Sequence, residues 1–81
     1  MARVKLIDAI SLIPLHQTSV GQVYFDISVP QVGSIIKYYK HNGLKRFQGD
    51  FTLYQVQSVI QDLQERDGDY FERFEVRLLK M

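Results

Sequence analysis

The chain contains no cysteine. Disulfides and thiolate metal sites are therefore excluded, and a reducing compartment fits, so a cytoplasmic protein is expected. Long hydrophobic runs are missing too. The apolar stretch from Leu6 to Leu15 is broken by Asp8, Ser11 and Pro14, far short of the roughly 20 residues of a membrane helix. Its basic end is thin and no small-residue cleavage site follows, so a signal peptide is not expected. Net charge is almost absent: 10 Lys+Arg against 9 Asp+Glu leave +1. No overall pull toward nucleic acid or anionic lipid follows from that balance.

Recognisable reaction chemistry is missing as well. The histidines, His16 and His41, show no H-x3-H or H-E-x-x-H spacing, so each reads as a surface or capping residue rather than a metal ligand. Ser11, Ser19, Ser34 and Ser58 lack the context of a nucleophile elbow. The segment "GLKRFQG" (43–49) is followed by Asp50-Phe51 instead of the Lys-Ser/Thr pair of a phosphate loop. Asp67 and Asp69 flank Gly68 without a twelve-residue calcium-loop pattern. An enzyme, a cofactor, a metal site and a small-molecule substrate are all unexpected.

What is present describes one small domain spanning the 81 residues, of ordinary globular composition with 46% hydrophobic and 23% charged residues. Placed at an offset of 24, "DISVPQVGSII" (26–36) matches "DFTLYQVQSVI" (50–60) at Asp26/Asp50, Gln31/Gln55, Val32/Val56, Ser34/Ser58 and Ile36/Ile60. Each copy has the layout of a capping box, Ser28 with Gln31 and Thr52 with Gln55. Val29, Val32, Ile36 and Tyr39 then recur at helical spacing, as do Leu53, Val56, Ile60 and Leu63, while Asn42-Gly43 and Asp67-Gly68 supply stops. The spacing predicts amphipathic helices over 29–42 and 53–66.

Residues 4–13 and 22–28 read as strands joined by a loop over 14–21, and 70–79 alternates as a strand wet on one side. Residues 44–51 fit either a short edge strand or a link. The expected fold is α+β: a three- or four-stranded antiparallel sheet with two amphipathic helices on one face, in the order β-β-α-(β)-α-β.

Charge separates the two copies. Lys37, Lys40, Lys45 and Arg46 stand without an acid, a local +4, interleaved with Tyr38, His41 and Phe47. The matching window 61–73 sets Asp62, Glu65, Asp67, Asp69 and Glu72 against Arg66 and Arg73, a local −3. One reading is plain helix-dipole compensation at a helix end. The functional reading is a non-catalytic interaction module, regulatory or adaptor in kind, whose basic-aromatic patch (37–47) and acidic patch (62–72) engage a protein partner or a second copy, with Tyr38 as anchor. The alternative is nucleic-acid binding, with the four cations on phosphates and Tyr38 or Phe47 stacked on bases.

Overall fold

The structure, a computed structural model, describes residues 1–40, 43 and 45–81. Among them no helix forms; the elements are strands β1 (Ala2–Asp8), β2 (Phe25–Ile27), β3 (Ile35–Tyr39), β4 (Phe51–Arg66) and β5 (Asp69–Lys80). They make one mixed sheet ordered β2-β1-β5-β4-β3. β1 runs parallel to β5 and every other neighbour is antiparallel. The sheet curls into a half-barrel, so that Tyr38 on one edge strand and Phe25 and Ile27 on the other line the same inner cavity.

The α+β expectation is thus corrected to all-β. In the segment expected as a first helix, Pro30 biases Val29 toward extended backbone. Gln31 to Ser34 then form a turn closed by the Ser34 N–H on the Gln31 carbonyl at 3.1 Å. Gly33, at φ 89°, takes the third turn position that favours glycine. The β-branched and aromatic run Ile35, Ile36, Lys37, Tyr38, Tyr39 continues as β3. The capping box expected from Ser28 and Gln31 does not form, since no helix starts there. Asn42, the other expected stop, lies outside the described residues.

The second expected helix is the long strand β4. A bulge at Gln57 interrupts its ladder and gives one helix-like step: Val56 pairs with Leu78, yet Ser58 pairs with Arg77 and Val59 with Val76. One extra residue converts the strand step of two between inner-face side chains into the step of three from Val56 to Val59. Leu53 and Ile60 belong to the opposite face. Asp67-Gly68 is not a helix stop but a two-residue hairpin turn, with φ of 51° and 85° at the two residues as a type I′ turn requires. Arg66 and Asp69 face each other across it. The two matching segments consequently adopt different structures, a strand end, turn and strand start in one and a bulged strand in the other.

The remaining strand expectations shift in length. The first strand stops at Asp8, whose carboxylate accepts the N–H groups of Ile10 and Ser11 at 2.9 Å and so starts a turn. The second shrinks to Phe25–Ile27. The described part of 44–51 is loop until Phe51 opens β4. The last strand is present, though parallel on its β1 side. Inner-face Val4, Val56, Val76 and Leu78 are fully buried and form the core, with Leu6, Ile27, Ile36, Tyr54, Val59 and Phe74 packed around them.

Candidate protein-interaction surface

β4 and β5 outrun their neighbours. β3 covers β4 only at residues 51–55, and β1 covers β5 only at 74–78. Residues 61–66 and 69–73 therefore form a two-stranded arm beyond the sheet, in a molecule whose longest dimension is 47 Å. The acidic residues sit on this arm and the basic ones at the β3 end. At about 3.3 Å per residue, Leu53, which faces Lys37, and Asp62 are about 30 Å apart along β4. That exceeds a Debye length of about 8 Å at physiological salt. The two ends therefore do not neutralise each other within one molecule.

At the basic end, strand alternation divides what the sequence grouped together. Lys37 lies on the outer face, its Nζ 4.2 Å from the centre of the Phe51 ring and 5.6 Å from that of Tyr39. Tyr39 in turn meets Phe47 edge-on at 5.8 Å and Phe51 at 5.6 Å. Phe47 is 79% exposed and adopts φ 60° in its loop. Tyr38 points the other way, into the curl, edge-on to Tyr54 at 6.3 Å; burial, aided by the neighbouring Tyr54, pushes its hydroxyl pKa up. Tyr38 is half-buried. Lys40 is exposed beside a groove of about 240 Å³ that Tyr38, Asp50 and Phe51 also line. Lys45 and Arg46 are exposed in the loop, and His41 lies outside the described residues.

On the arm, Asp62 pairs with Arg73 directly across the ladder at 3.3 Å. Glu65 accepts the Gly68 N–H at 3.0 Å and braces the turn. Glu72 accepts from the Gln61 amide. Asp67 and Asp69, both exposed, occupy the turn and its flank. Between these charges Leu63, Tyr70 and Phe71 are 58%, 66% and 55% exposed. Leu63 and Phe71, with the Asp62–Arg73 pair, line an open trough of about 700 Å³.

The sequence reading missed Phe51, Leu63, Tyr70 and Phe71 as surface groups, and helical spacing placed Leu63 on a buried stripe. The Asp-Gly pair flanked by strand-forming residues was the signal for the arm. Among the described residues no three His, Asp or Glu side chains converge to hold a metal ion, and no helix is long and apolar enough to cross a membrane. No protein-family model matches the chain, and searches of curated proteins and of solved structures return no match.

Proposed function

We propose that the chain is a non-catalytic interaction module that binds protein through its two charged ends, the basic-aromatic end at β3 and the acidic arm. The observation that carries this reading is the pairing of each charge cluster with uncovered apolar side chains: Phe47 and Phe51 around Lys37, and on the arm Phe71 on the face of Asp62 and Asp69 with Leu63 and Tyr70 on the face of Glu65 and Glu72. Charge steers the encounter, while aromatic and aliphatic groups supply the area whose burial holds a complex. The same basic end would suit a nucleic-acid phosphate, but the arm of opposite sign would repel the polymer along its length.

The test compares the wild-type chain with a Lys40→Glu, Phe47→Ala double variant, both sites exposed. With circular dichroism unchanged, the variant is expected to lose the protein bound by the wild type, whether a host protein or a second copy, by at least about tenfold in affinity. Equal retention by both overturns the reading. Binding of single- or double-stranded nucleic acid at low salt, lost in the same variant, replaces it with the alternative.

A further inference from the structure

β4 has an open edge. On its β3 side the ladder ends at Gln55, with Val56 still tied to Gly33 and Ser34, while β4 itself continues to Arg66. β3, the outermost strand of the sheet, has an open edge of its own. Among the described residues, each edge presents a row of backbone groups without a strand neighbour. The vacant stretch of β4 is longer than β3, lies next to it, and shares its sheet.

We propose that a second copy of this chain fills that vacancy, two molecules pairing about a two-fold axis normal to the sheet so that β3 of each lies along residues 60–65 of the other's β4. The proposal deepens the interaction reading and rests on it. The rotation reverses strand direction within the sheet plane, and β3 is antiparallel to its own β4. β3 therefore runs parallel to β4 of the second copy, and each face of the sheet stays on its own side.

One register satisfies both charge and face. With Lys37 opposite Asp62, Ile35 falls opposite Ile60 on the outer face, Tyr38 opposite Leu63 on the inner face, and Lys40 opposite Glu65. The pairs within β3 each combine residues of the same face, and Lys40, just past the end of β3, lies on the side of Tyr38 and Tyr54. Two ion pairs and two apolar pairs form along one strand, and the symmetry repeats them. A shift of two residues in either direction puts Lys37 opposite Ile60 or Gln64 and loses its acid. The competing symmetric contact, β3 against β3, brings like-charged lysines into the same junction and is disfavoured. The axis then passes close to the bulge at Gln57, midway between Leu53, which faces Lys37 within one chain, and Asp62.

Sedimentation velocity on the full chain over about 1 to 200 µM decides it, since a two-fold pair appears by mass action. A dimer is expected, weakened by salt. Lys37→Glu alone and Asp62→Lys alone are each expected to weaken it at least about tenfold, because each places like charges at both junctions. An equimolar mixture of the two variants is expected to recover dimer: one junction then sets the introduced glutamate against the introduced lysine, and the other is wild type. A folding defect does not produce recovery on mixing. If Asp62→Lys fails to fold by circular dichroism, Asp62→Asn replaces it and is expected to weaken the wild-type dimer in the same direction. A monomer throughout the range, or a dimer indifferent to both reversals, overturns the proposal. A monomer that still captures a different protein through Lys40 and Phe47 overturns this inference alone and leaves the interaction reading standing.

Discussion

Glu75 shows how a single side chain is set by its strand neighbours. It lies on the outer face between Lys5, at 3.3 Å across the parallel β1–β5 ladder, and Arg77, at 3.1 Å two residues along its own strand. Burial pushes its carboxyl pKa up, but hydrogen bonds from Arg77 and Lys5 outweigh that and leave it below the ordinary 4.5. A depressed folded-state value means that the unfolded chain binds the proton more readily. The stabilisation is complete above about pH 4.5 and is lost as pH falls through the folded value. Glu75→Gln is expected to lower neutral-pH stability by about 1 kcal/mol and to flatten the acid limb of a urea-unfolding series; an acid limb as steep as wild type contradicts this. Residues of this kind were poorly legible beforehand, because the sequence shows which charges exist but not which strands lie side by side. Lys37 and Tyr38 make the same point: adjacency in sequence joined them, and the pleat puts them on opposite faces.

For the elements, the decisive local event is one inserted residue. Without the bulge at Gln57, β4 would keep strict alternation and could not bury both Val56 and Val59 against Leu78 and Val76. Within 53–66 the step of three from Val56 to Val59 fits a helical period because of that bulge, whereas Leu53 and Ile60 lie on the outer face and Leu63 on the inner. Composition carried the contrary signal, since Thr52, Tyr54, Val56, Val59 and Ile60 are strand formers. The run 70–79 was legible as a strand because nothing disturbs its alternation, and Asp67-Gly68 was legible as a break, though not as the hairpin that it makes. Deleting Gln57 is expected to expose one inner-face valine or the other, at about 1.5–3 kcal/mol for each side chain turned out. Gln57→Ala, which keeps the extra backbone residue on an exposed site, is expected to stay within about 0.5 kcal/mol of wild type. Thermal unfolding of the pair separates the two outcomes, and equal melting temperatures would mean that the bulge does not set the register.

Across the whole molecule, stability is distributed unevenly along one hairpin. Near the sheet centre β4 and β5 are covered by β3 and β1 and enclose the buried Val56, Val76 and Leu78. Beyond residues 60 and 74 the arm has only itself, with a bare strand edge on each side and Leu63, Tyr70 and Phe71 facing solvent. A lone two-stranded ribbon is marginal in water, so the arm opens locally while the core stays closed. Amide exchange is expected to run at least roughly a hundredfold faster at 62–66 and 69–73 than at 54–56 and 76–78 in dilute protein. Within the hairpin, trypsin is expected to cut at Arg66 or Arg73 before any site nearer the sheet centre. The charge separation between the ends was readable from the sequence by counting, whereas the arm that gives it length was not, because its existence depends on β4 and β5 outlasting their neighbours. Occupation of the open β4 edge supplies the missing strand neighbour. Exchange at 60–65, followed against protein concentration, is therefore expected to slow together with exchange at 35–39, while amides at 69–73, whose bare edge lies on the other side of the hairpin, gain much less. Uniform slowing over both arm strands would point instead to contact with a face of the arm rather than to a strand added at its edge.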